Sequence, residues 1–161
     1  MDDTQNIEAI FSKEIGSLVN RKFLLAFSGG VDSVVLLDLL VNVLKESDAL
    51  RIIHINHNLN KHSNDWAQFS SEVCEKYDLP LICESVEPKR HGKGLEADAR
   101  ELRYQSFRDV IQDDEYLLTG HHQDDQMETL LYRIFRGTGI DGLMAIRREI
   151  KFGKGFLYRP M

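Results

Sequence analysis

The chain has 161 residues, 42% of them hydrophobic and 29% charged, with a formal net charge of −6. This is the composition of one soluble domain with a buried core, and it excludes a disordered chain. The acidic balance, concentrated in the first half, argues against a broad nucleic-acid-binding face and leaves local basic stretches, "PKRHGK" (residues 88–93) and "RREIKFGK" (residues 147–154), as the places that could meet phosphates.

The longest nearly apolar run, residues 34–44, is broken by Asp38 and Asn42. It is shorter than the roughly 20 residues that span a bilayer. The opening "MDDTQNIEAIF" has neither the basic nor the apolar region of a secretory signal. The expectation is a cytoplasmic protein without a membrane segment. Cys74 and Cys83 form no CxxC pair and belong to no zinc-spaced cluster, so both read as ordinary reduced residues.

In chain order, residues 1–20 have the spacing of an amphipathic helix, with Ile7, Ile10, Phe11, Ile15 and Leu18 on one side. "KFLLAFS" (residues 22–28) is almost continuously apolar, as a strand buried on both faces should be, and a helix over 32–46 follows it directly. "RIIHIN" (51–56) reads as a second strand, followed by a polar loop and a helix over 65–77, and "LPLICES" (79–85) reads as a third. A basic loop leads to a helix over 95–112, then a strand over 115–120 and a helix over 124–135. Four strand-helix units in succession predict an open, twisted parallel α/β sheet with helices on both faces. The final stretch, "EIKFGKGFLYRP", reads as two short strands around a Gly-Lys-Gly turn. Because the pattern stops there, a fragment of a longer protein is expected.

The chemistry concentrates in "SGGVDS" (residues 28–33), the first strand-to-helix loop. In such sheets ligands bind beyond the carboxyl ends of the strands. Gly29 and Gly30 let the main chain approach a ligand. Their N–H groups, the hydroxyls of Ser28 and Ser33 and the positive end of the next helix together suit phosphate oxygens. No GxxxxGK[ST] or helix-opening GxGxxG is present, which excludes the Walker and dinucleotide-binding loops. Asp32 is the anomaly, since a carboxylate beside phosphate needs a cation between them. Mg²⁺ or a substrate ammonium would serve.

"SGGVDS" after a buried strand resembles the PP-loop of the N-type ATP pyrophosphatases, which cleave ATP to AMP and pyrophosphate. With "HINHNLN" (54–60), "EADARELRYQSF" (96–107) and "TGHHQDDQMETLLYRIFRGTGIDGL" (119–143), the pattern is similar to the tRNA(Ile)-lysidine synthase family over residues 20–161. The resemblance implies the adenine nucleotide alpha hydrolase-like fold and a PP-loop catalytic domain over 1–161. It also implies further C-terminal tRNA-binding domains absent from this chain. The implied reaction is adenylation of the 2-carbonyl oxygen of the wobble cytidine in isoleucine tRNA with a CAU anticodon. Free lysine then displaces AMP, with ATP and Mg²⁺ consumed or required and a homodimer as the family's assembly.

For site residues, the resemblance puts ATP against Ser28, Gly29, Gly30, Val31, Asp32 and Ser33, with His57, Gly120 and His121 at other strand ends. Asp32 is expected to face Mg²⁺ or the ammonium of the lysine substrate. The amino-acid substrate calls for arginine at its carboxylate and acids at its ammonium. Arg100 and Arg103 share a helix face, and Asp124 or Asp125 shares one with Glu128. Asp32, Arg100, Arg103, Asp125 and Glu128 are therefore the candidate catalytic residues. His122 is a further candidate for nucleotide contact, Gly137 and Gly139 for a turn that continues the site, and Ala26 with residues 53–55 for an adenine pocket. Two alternatives stay open: another superfamily member, either a tRNA thiolase with a nucleophilic cysteine or an amide-forming synthetase, or a module that binds ATP without turnover.

Overall fold

A computed structural model describes residues 3–18, 20–44, 47–57, 63–87, 94–120 and 149–160. Its elements in chain order are α1 (Asp3–Ile15), β1 (Phe23–Ala26), α2 (Val31–Val43), β2 (Leu50–Asn56), α3 (Ser63–Lys76), β3 (Leu81–Ser85), α4 (Leu95–Val110), β4 (Tyr116–Thr119), β5 (Glu149–Phe152) and β6 (Gly155–Tyr158). The expected helix over 124–135 lies outside the described residues.

The six strands form one sheet in the order β3-β2-β1-β4-β6-β5. β3, β2, β1, β4 and β6 run parallel, while β5 returns antiparallel on β6. The expected parallel sheet thus carries one antiparallel edge strand, built by the hairpin around Gly153 and Lys154. Gly155 is required there because β6 passes so close to the chain before β4 that a Cβ would run into the Glu115 carbonyl. The same carbonyl accepts the Phe156 N–H at 2.9 Å.

The alternation of the strands sorts their side chains onto two cores. Phe23, Leu25, Ile52, Tyr116 and Leu118 join Phe11 and Ile15 of α1 and Leu36, Leu37 and Leu40 of α2 on one face, with Phe69 and Val73 of α3 packed against them. Leu24, Ile53, Leu117 and Leu157 face the other way, onto Phe107 of α4, with Tyr104 and Val110 packed alongside. Helices cover both faces, as the apolar runs require. Each fully buried leucine of α2 contributes about 1.5–3 kcal/mol relative to an exposed one.

Strand order reverses direction between β1 and β4: from β1 the chain moves outward through β2 and β3, then returns to the other side. This switch point leaves a crevice beyond the carboxyl ends of the central strands.

Candidate active site

The loop from β1 to α2 starts at that crevice. The Phe27 N–H still donates to the Ile53 carbonyl at 2.9 Å, so sheet bonding persists one residue beyond β1. The chain then turns at Gly29, whose φ is +83°. A Cβ on Gly29 would lie 2.7 Å from Cε3 of Trp66, so conformation and crowding both demand glycine. The Gly30 N–H donates to Ser28 Oγ at 3.3 Å, the Ser28 hydroxyl donates to Ser33 Oγ at 3.2 Å, and the Ser33 hydroxyl donates to the Gly30 carbonyl at 2.8 Å. The two hydroxyls are thereby held together at the start of α2. Gly30 caps that helix without a side-chain hydrogen bond, and an uncapped first turn with its positive dipole attracts an anion.

Beyond the ends of β1, β2 and β4 lies a cavity of about 320 Å³, at the lower end of the range for small-ligand pockets. Its walls are Ala26, Phe27, Ser28 and Ser33, residues 53–57, Ser63 and Trp66 of α3, Arg103 and Phe107 of α4, and Thr119 and Gly120. Gly120 lies against the loop, since a Cβ there would sit 3.5 Å from the Asp32 backbone.

Several polar groups at this cavity lack partners among the described residues. Thr119 is 3% exposed, yet its Oγ1 makes no hydrogen bond among them, and neither does the buried Nδ1 of His57. An unsatisfied buried polar atom costs about 1–3 kcal/mol, which a ligand or water can recover. Burial, then the Arg103 guanidinium, then His54 hold the His57 pKa below its ordinary value, so its ring is neutral at neutral pH. Arg103 makes no ion pair among the described residues. Burial and the neighbouring Arg100 push its pKa down from the usual arginine range, while the group stays cationic. A desolvated cation that feels Glu96 only at a distance and has no ion-paired carboxylate among the described residues is suited to an incoming anion.

His54 ties these parts together. Its Nδ1 donates to the Phe27 carbonyl at 2.9 Å and lies 3.2 Å from Ser70 Oγ, whose own hydrogen goes to the Trp66 carbonyl at 2.8 Å. With both neighbouring oxygens acting as acceptors, the network assigns the ring proton to Nδ1. One buried side chain thus fixes the start of the serine loop to β2 and α3.

Among the sequence-derived candidates, Ser28, Ser33, His57, Arg103 and Gly120 line the cavity, as do Ala26 and residues 53–55. Gly29 and Gly30 shape its loop. Asp32 sits in the first turn of α2, and Val31 is 77% exposed there; neither lines the cavity. α4 separates the two arginines: Arg103 turns to the cavity, whereas Arg100 is exposed, its guanidinium carbon 5.2 Å from the Tyr104 ring centroid. His121, His122, Asp124, Asp125, Glu128, Gly137 and Gly139 lie outside the described residues. Sequence reasoning missed Trp66, Ser63, Phe107 and Thr119. Thr119 could have been found as a hydroxyl at the end of a buried strand, and Trp66 as the single tryptophan, set just after the polar loop.

Neither cysteine lines the cavity. Burial pushes the Cys74 thiol up to about 11 and raises that of Cys83 as well. Among the described residues no group of three or more His, Cys, Asp or Glu is arranged to hold a metal ion, and no helix is long and apolar enough to cross a membrane.

The family model described as the PP-loop domain matches residues 2–161. The chain belongs to the PP-loop domain family. ATP use is the property this family implies. The chain is 43% identical over 144 residues to the tRNA(Ile)-lysidine synthase of Histophilus somni (strain 2336), covering 88% of this chain and 34% of that protein. It is 41% identical over 146 residues to that of Escherichia coli O157:H7, covering 89% and 34%, and 40% identical over 144 residues to that of Coxiella burnetii, covering 88% and 32%. The chain thus spans about a third of the length of these curated relatives. The U34-tRNA thiolase NcsA of Methanococcus maripaludis superposes with a TM-score of 0.72 at 18% identity, over 98% of this chain and 57% of that one, a likeness of fold.

Proposed function

We propose that this PP-loop domain carries out the adenylation and lysine-transfer chemistry of a tRNA(Ile)-lysidine synthase. The observation that carries the proposal is the cavity at the switch point, where a cradle of serine hydroxyls, an uncapped helix start and Arg103, which has no ion pair among the described residues, meet apolar walls. A nucleoside fits the apolar part and phosphates fit the cradle. The identity of 40–43% to lysidine synthases over 88% of the chain supports the choice of reaction.

In this reading the adenosine lies against Ala26, Ile53 and Ile55, and Ser28, Ser33 and the first turn of α2 hold the phosphates. The 2-carbonyl oxygen of the wobble cytidine attacks the α-phosphorus, and pyrophosphate leaves. The side-chain amine of lysine then attacks C2, losing a proton as AMP departs with the oxygen. Arg103 stabilises the charge developing on phosphate or holds the lysine carboxylate, and Asp125 and Glu128 take its α-ammonium. Asp32 is the carboxylate that would hold Mg²⁺, which neutralises phosphate charge when bound. Such an ion takes one or two carboxylates and draws its other ligands from phosphates and water.

The test supplies labelled lysine, ATP, Mg²⁺ and isoleucine tRNA with a CAU anticodon, and counts lysine in the RNA against AMP released. Equal amounts are expected, and Asp32→Asn should abolish both while leaving the fold intact. AMP release without lysine in the RNA would point to another nucleophile, and normal transfer by Asp32→Asn would remove Asp32 from the mechanism.

A further inference from the structure

Trp66 is the chain's single tryptophan, and it stands at the rim of the cavity with 45% of its surface exposed. It is not loose. Its ring abuts Gly29, meets Phe69 edge-on with centroids 6.3 Å apart, and its carbonyl accepts the Ser70 hydroxyl. A large aromatic side chain braced on one side and open on another, next to a phosphate loop, has the form of a stacking platform.

Its position selects the occupant. Ala26, Ile53 and Ile55 lie on the face of the sheet covered by α4. Trp66 reaches the cavity from α3, which packs on the opposite face, and touches the serine loop at Gly29. A nucleotide with its base on the α4 side and its phosphates on the loop leaves the indole to whatever approaches phosphorus from the other direction.

We propose that Trp66 stacks on a base of the substrate RNA at the mouth of the site and positions it for attack. This rests on the proposed RNA-modifying function. Stacking of this kind is tolerant of base identity, so Trp66 would contribute affinity and placement, leaving sequence choice to other groups.

In these 161 residues tryptophan emission reads this residue alone. The protein is titrated with an RNA hairpin carrying a CAU loop and, separately, with a non-hydrolysable ATP analogue. The hairpin should quench the emission and the analogue should change it little. Trp66→Ala should raise the Kd for the hairpin about tenfold or more while shifting that for the analogue by less than about twofold. Trp66→Phe should keep most of the RNA affinity. A thermal melt checks that the alanine variant folds; if it does not, the wild-type titrations and Trp66→Phe decide.

Quenching by the analogue but not by RNA would assign Trp66 to the adenine and overturn the proposal, as would equal weakening of both ligands. So would an emission indifferent to RNA. RNA quenching without any lysine incorporation would leave the platform standing and discard the lysidine reading. Incorporation with no RNA response at Trp66 would do the reverse.

Discussion

Arg51 and Arg103 are both partly buried arginines at opposite ends of one sheet, and their surroundings differ. At the amino end, Arg51 grips the fully buried Glu115 with two bonds, Nε to Oε1 at 2.9 Å and an Nη to Oε2 at 2.8 Å, and also reaches the Val110 carbonyl. Glu115 accepts the Gln112 N–H as well, so the start of β2, the end of α4 and the start of β4 are locked together. Among the described residues, Arg103 at the carboxyl end has no such carboxylate, and Thr119 Oγ1 and His57 Nδ1 beside the same cavity have no partner. One end spends its polar groups on holding strands in register, and the other keeps them for a ligand. Satisfied charge marks structure here, and unsatisfied charge marks the site.

Exchanging these roles breaks the comparison most visibly at Glu115. Glu115→Ala leaves the part-buried Arg51 with the Val110 carbonyl but no carboxylate and should cost about 3–5 kcal/mol, lowering the melting temperature by roughly 6–20 °C for a domain of this size. Calorimetry measures it, and an unchanged melt would mean that the bridge is ornamental. Arg103→Met should do the opposite, leaving the melting temperature nearly unchanged while steady-state turnover falls about 100–1,000-fold, as for loss of a group aimed at developing charge. A large loss of stability in that variant would make Arg103 structural too.

A smaller effect follows from His57. Its folded-state pKa lies below the ordinary 6.5, so between those two values the unfolded chain binds more protons. Stability should therefore fall as pH drops below 6.5 and be unaffected by this residue above it. Denaturant titrations of His57→Gln across that window should show a shallower decline with acid than the parent. The smallest effect is expected at Cys83, where Cys83→Ser should leave turnover within about twofold; a large loss would favour sulfur transfer.

The strands could be read from sequence because buried parallel strands are nearly continuous apolar runs, and "KFLLAF", "RIIHIN" and "EYLLT" have few other uses. The hairpin at Gly153 was equally plain, although its pairing was not. Nothing local says that β6 docks parallel to β4, which depends on Gly155 clearing a carbonyl from another part of the chain. The serine loop declared itself through Gly-Gly between hydroxyls. Helical spacing put Arg100 and Arg103 on one face, yet a few ångströms decide which meets the cavity, and the Tyr104 ring takes Arg100 away. The Arg51–Glu115 bridge was invisible because it joins residues 64 positions apart, and the sequence marks Trp66 without showing that its ring packs on Gly29.

The most direct test of this division is a crystal structure of the protein with Mg²⁺ and a non-hydrolysable ATP analogue. The base is expected against Ala26, Ile53 and Ile55 and the phosphates on Ser28, Ser33 and the first turn of α2, with Arg51 and Glu115 unmoved. A nucleotide bound elsewhere, or a serine loop without phosphate contacts, would contradict it.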